Sequence, residues 1–107
     1  MSKYRSVKTV VDNIKFDSKK ESERYTELKL LERTGEIRNL ELQPRLDVRI
    51  NGKYICYYKA DFSYFTEDRR VFEDVKSSFT AKLPMFRLKK KLVEACYPGV
   101  KIMEILK

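Results

Sequence analysis

The sequence predicts a minimal α/β sandwich: a single small domain, residues 1–107, in which a mixed sheet carries flanking helices in the order αβββαβ. Three observations carry that expectation. Two stretches show helical apolar spacing bounded by stop signals, and Asn51-Gly52 stands between alternating apolar runs. The 107-residue chain is also only 42% apolar, enough material for one core but not two. A meander of three strands followed by a helix and another strand makes a mixed sheet with helices packed on it.

The first helix runs from Asp17 to about Thr34. Ser18 is an N-cap, Glu21 follows three residues later, and Gly35 is the stop. Tyr25, Leu28 and Leu31 recur at helical spacing and mark its inner face. From Arg38 to Ile50 the pattern alternates, with Leu40, Leu42, Leu46, Val48 and Ile50 in phase. Asn51-Gly52 then predicts a hairpin, because both residues tolerate positive φ. Tyr54 to Phe65 is the second strand, Thr66 to Arg69 a turn, and Arg70 to Lys76 the third strand. After a loop from Ser77, a second helix spans about Pro84 to Tyr97 and stops at Pro98-Gly99. Its inner face is read as Met85, Phe86, Leu88, Leu92, Val93, Ala95 and Cys96. Val100 to Leu106 is the last strand.

Charge and composition narrow the chemistry. Twenty-four Lys and Arg against 16 Asp and Glu leave a net +8, the balance of a protein that meets polyanions. The excess lies at the ends. Residues 1–20 hold six basic and two acidic side chains (net +4), and residues 77–107 hold seven and two (net +5). Residues 21–76 hold eleven and twelve (net −1), so two basic ends flank a carboxylate-rich middle. Histidine is absent, which excludes His-based acid–base catalysis and His-metal sites. Cys56 and Cys96 are too few for a structural zinc site and read as small buried hydrophobes. No apolar run is long enough to cross a bilayer, and no signal-peptide core is present, so a cytoplasmic protein is expected.

Any catalysis therefore falls to carboxylates and lysines. In the third strand, Asp74 and Lys76 share a face and Glu73 takes the other. With the turn centred near residues 67–68, Asp61 on the second strand lies opposite about Asp74. Two facing carboxylates repel unless a cation sits between them, and a hard divalent ion such as Mg²⁺ suits oxygen ligands. Glu21 falls on the helix face that points at the sheet. It has two readings, a third member of that cluster or a capping-box residue bonded back to Ser18.

The set Glu21, Asp61, Asp74 and Lys76 resembles the PD-(D/E)xK nuclease superfamily, with Asp61 followed thirteen residues later by Asp74-Val75-Lys76. The aspartate is preceded by Ala60 rather than proline. The stretches Tyr4-Arg5-Ser6, Phe16 to Glu21, Gly35 to Leu40 and Leu42 to Arg45 are similar to a group of short phage-encoded, Holliday-junction-resolvase-like nucleases. The resemblance implies a restriction-endonuclease-like core. It also implies Mg²⁺-dependent phosphodiester hydrolysis, with Mn²⁺ able to substitute, in the cytoplasm of a bacterial host. Glu21, Asp61 and Asp74 would be the metal ligands, with the Val75 carbonyl as a further one, and Lys76 would orient or deprotonate the attacking water. Branched or junction DNA would be the substrate, and a homodimer would supply two symmetric cuts.

The basic ends would hold that polyanion. Lys3, Arg5 and Lys8 form the basic part of an N-terminal arm (residues 1–15), with Tyr4 available to stack. Lys20 precedes Glu21, and Ser77, Ser78, Thr80 and Lys82 follow Lys76 in a loop suited to phosphate contacts. Arg87 lies on the outer face of the second helix. Lys89 falls on its apolar face, where it either snorkels to the edge or reaches toward the carboxylates or DNA. With no base-reading motif, recognition is expected to rest on backbone and shape. The competing readings are a non-catalytic nucleic-acid-binding module and a protein-binding inhibitor or nuclease subunit on the same fold.

Overall fold

The computed structural model describes residues 8–106. Thr9–Val11 (β1) and Ile14–Phe16 (β2) pair as an antiparallel hairpin before the first helix. Residues 1–15 were expected as a basic arm, and part of that stretch is instead this hairpin. Asp12 and Asn13 both take positive φ (54° and 62°), the turn geometry that suits the twist of a two-residue hairpin. Val11, Ile14 and Phe16 pack into the core, and Asp12 accepts from the Tyr25 hydroxyl at 2.9 Å.

Helix α1 (Lys19–Thr34) is capped as its sequence requires: the Ser18 hydroxyl accepts from the Glu21 amide at 3.1 Å, and Gly35 ends it with φ 86°. The two long strands expected next are each broken. Arg38–Leu42 (β3) and Arg45–Ile50 (β4) are separated at Gln43, which sits at φ 51°, and at Pro44, which has no amide to donate. Lys53–Lys59 (β5) and Phe62–Phe65 (β6) are separated at Ala60-Asp61. Hydrogen bonds from Gln43 to the Asp61 carbonyl and from Ala60 to the Pro44 carbonyl hold the two breaks together. The outcome is one long bent hairpin. Its far half, β4–β5, leaves the sheet as a two-stranded ribbon turning at Asn51 (φ 52°) and Gly52 (φ 79°).

Arg70–Lys76 (β7), Pro84–Cys96 (α2) and Lys101–Leu106 (β8) complete the chain, with a short 3₁₀ turn at Thr80–Lys82 in the loop after β7. The main sheet has the order β3-β6-β7-β8 and is mixed: β3/β6 and β6/β7 are antiparallel, and β7/β8 are parallel across the α2 crossover.

This small mixed α/β sheet divides its apolar material between two faces, where one core was expected. Phe16, Tyr25, Leu28, Ile37, Phe62, Tyr64 and Val71 form the cluster under α1. Val48, Tyr58, Ala60, Phe72, Phe86, Val93 and Ile102 form the cluster under α2 and the ribbon. Val71 and Phe72 are chain neighbours on opposite faces, as strand alternation demands. The expected inner face of α2 was too wide. Phe86 and Val93 are buried, and Leu92 and Cys96 pack against them, but Met85, Leu88 and Ala95 are exposed. No helix among the described residues is long and apolar enough to cross a membrane.

Candidate active site

Register builds the site. Phe62 pairs with Glu73 across β6/β7, and the Asp61 amide donates to the Glu73 carbonyl at 3.0 Å, so Asp61 and Asp74 come opposite each other. Asp74 is 3% exposed on the α2 face of β7. One Asp61 carboxylate oxygen accepts from the Val75 amide at 2.8 Å, which orients it. The Tyr58 hydroxyl, buried at the root of the ribbon, donates to Asp74.

Glu21 enters from the first turn of α1 and is 7% exposed. The cap is made by its backbone amide, while its carboxyl stands near enough to Asp61 for the two charges to repel. The Ser18 hydroxyl therefore caps the helix, but the Glu21 carboxyl is turned toward the aspartates and does not bond back to the Ser18 amide as a capping box requires.

The electrostatics follow from burial of like charges. Burial first, and then the charge of Asp61, push Glu21 up to about 8 from an ordinary 4.5. The same two causes, in the same order, push Asp74 up to about 7 from 3.8. Burial raises Asp61 as well, opposed by the Val75 amide and the Lys76 charge. Near neutral pH the cluster therefore retains protons. Lys76 lowers both aspartates through its charge, and its ammonium rests over the Phe86 ring at 4.5 Å from the centroid.

The donor set suits a hard cation: carboxylate oxygens, buried, close enough to repel and short of compensating charge. Among the described residues no group of three or more acidic, Cys or His side chains already stands in ligating arrangement. In this arrangement the raised proton affinities of Glu21 and Asp74 relieve the repulsion.

On the opposite face of the same strand Glu73 is fully buried and fully answered. Arg24 donates Nε and an Nη to its two oxygens, both at 2.8 Å, and the Tyr64 hydroxyl donates as well. Neither Arg24 nor Tyr58 was singled out from the sequence. Arg24 lies 49 residues from Glu73, and no local spacing links them. Tyr58 offers only the weak signal of standing in the aromatic run that leads to Asp61.

The expected nucleic-acid contacts fare unevenly. Lys3 and Arg5 lie outside the described residues. Lys8 is exposed, 3.9 Å from Asp17, and Lys20 is exposed beside Glu21. The Ser77 amide and hydroxyl are both bonded to Thr80, a local turn that the pair closes on itself. Lys82 and Arg87 line a shallow cleft with Ser78 and Leu106, and Arg87 donates to Glu104 at 3.0 Å. Lys89 turns away from the carboxylates and sits over the Tyr57 ring of β5, 5.3 Å from its centroid.

Comparison with known proteins yields no match among curated proteins and none among solved structures. A family model does match, over residues 1–107, and the chain accordingly belongs to the family described as "Protein of unknown function (DUF1064)".

Proposed function

We propose that the chain is a divalent-cation-dependent endonuclease acting on branched DNA. The observation that carries this reading is the gathering of buried Glu21 and Asp74 around half-buried Asp61, within range of the Lys76 charge. Burying like charges is unfavourable, and a fold that does so beside a properly neutralised Glu73 has a use for the unneutralised ones. The helix, four-stranded sheet and crossover helix (α1, β3, β6, β7, α2, β8) support a restriction-endonuclease-like core, with the ribbon as an insertion between β3 and β6.

In this reading Asp61, Asp74 and Glu21 hold the cation, Mg²⁺ or Mn²⁺, whose Lewis acidity acts on the scissile phosphate. Tyr58 and the Val75 amide fix the orientation of the two aspartates. Lys76, on a flexible stem leaning on Phe86, orients the attacking water and helps remove its proton. Lys20, Lys82 and Arg87 contribute the positive surface that holds the backbone. A homodimer would place two such sites across a branched substrate.

Cleavage of a labelled four-way junction, a matched duplex and a single strand, each with Mg²⁺ and with EDTA, tests the proposal. Paired nicks on the junction are expected, lost with EDTA and reduced at least about 100-fold in Asp74→Asn, the scale of one charge-stabilising group. Cutting of all three substrates would discard the junction preference. Binding without cutting under either metal would leave a nucleic-acid-binding module.

A further inference from the structure

We infer that the β4–β5 ribbon is a stacking platform for unpaired bases of a DNA strand, an inference that rests on the nucleic-acid reading above and names how the substrate is engaged. The ribbon projects from the sheet and turns at Asn51-Gly52. Along residues 45–59 it carries Arg45, Arg49, Lys53 and Lys59, all exposed, against a lone acid, Asp47. It is thus basic although the segment 21–76 as a whole is not.

Tyr54 and Tyr57 are each 42% exposed, large rings left in water on a small domain. Each is topped by cations: Arg49 stands over Tyr54 at 5.5 Å, and Arg45 and Lys89 stand over Tyr57 at 4.1 and 5.3 Å from the ring centroid. Tyr and Arg also suit protein interfaces, and it is the excess of four cations over one acid along the ribbon that favours a polyanionic strand here. Rings interleaved with guanidinium groups are the chemistry of nucleobase stacking, with phosphate attraction beside it. The ring faces give no sequence code, and they need bases whose own faces are open. Unpaired bases offer that, whereas an intact duplex does not.

The location agrees. At the ribbon's root the next residue, Tyr58, turns inward and bonds Asp74. Tyr57 is thus one position from the side chain that bonds Asp74, on the other face of the same strand.

The test is fluorescence polarisation with the full chain in EDTA, using a labelled single strand of mixed sequence and its duplex. Native protein is compared with the pairs Tyr54→Ala/Tyr57→Ala and Tyr54→Phe/Tyr57→Phe, after thermal melts show all three folded. The alanine pair is expected to bind the single strand at least about tenfold more weakly, with duplex binding little changed and the phenylalanine pair close to native. Native-like single-strand binding by the alanine pair would overturn the platform while leaving the nuclease reading intact. Equal losses on both DNAs would do the same. A change of oligomeric state in the alanine pair would overturn it in favour of a subunit contact. A native chain that neither binds nor cuts any DNA would overturn both readings.

Discussion

Glu73 and Asp74 are neighbours on β7, both buried (0% and 3% exposed), yet they sit in opposite chemical situations. Glu73, on the α1 face, has two charge-assisted bonds from Arg24 and a third from Tyr64. Asp74, on the α2 face, has one bond from Tyr58 and shares its surroundings with Asp61 and Glu21. The difference teaches that a buried acid is not by itself a functional signal. An acid with its own guanidinium is part of the framework. Acids left to share their surroundings with each other are not accounted for by the framework in this way.

The comparison can be broken most forcefully at Arg24. Arg24→Ala leaves Glu73 buried without its cation, and we expect a loss of about 3 kcal/mol, the low end for a broken buried pair because Arg24 is partly exposed. In a domain of this size that is a fall of about 12 °C or more in melting temperature. Asp74→Asn should show the contrary pattern, with cleavage lost while the fold is kept. A variant pair in which Arg24→Ala melts like native protein would remove the distinction between the two faces.

A pH series sharpens it. Glu21 and Asp74 have raised values in the folded chain, about 8 and about 7, against ordinary values of 4.5 and 3.8 when unfolded. The folded chain then binds more protons than the unfolded one between those limits, so stability declines as pH rises. Their contribution is complete below pH ~4 and lost by the time pH passes ~8. Urea midpoints in EDTA should fall steadily from acid to mildly alkaline pH, and Mg²⁺ should recover most of the loss at the alkaline end. Asp74→Asn should flatten the profile. A flat native profile would show that the cluster is not protonated as described.

The smallest expected effect is that of Tyr58→Phe, which removes one hydrogen bond to a carboxylate and leaves the ring packed. A drop of about tenfold in cleavage with Mg²⁺, at nearly unchanged melting temperature, is expected from such a bond. An unchanged rate would reduce Tyr58 to a core residue.

Much of the α1 side was readable in advance. Ser18 and Gly35 obey local capping rules that act within a turn, and these hold in the fold. The β6/β7 turn was short, so counting outward from it placed Asp61 opposite Asp74. The β1–β2 hairpin escaped notice because Asp12-Asn13 is a weaker turn signal than Asn51-Gly52, although both adopt positive φ. The breaks at Gln43 and Ala60-Asp61 escaped too, since apolar alternation continues in phase across a bend.

The amino-acid order by itself determined what short-range geometry controls: the helix ends, the Asn51-Gly52 turn, the facing pair Asp61 and Asp74, and the basic character. Tertiary structure alone decided the rest. Packing α1 on one face of the sheet brought Arg24 to Glu73 across 49 residues. It also brought Glu21 to Asp61 and left the aspartates on the far face without a guanidinium. Folding the ribbon over α2 set Tyr58 on Asp74 and drew Lys89 to Tyr57. The physical reason is one of range. Caps and tight turns are settled by the backbone of a few residues, whereas the partner of a buried charge is settled by which distant surfaces close together when water leaves.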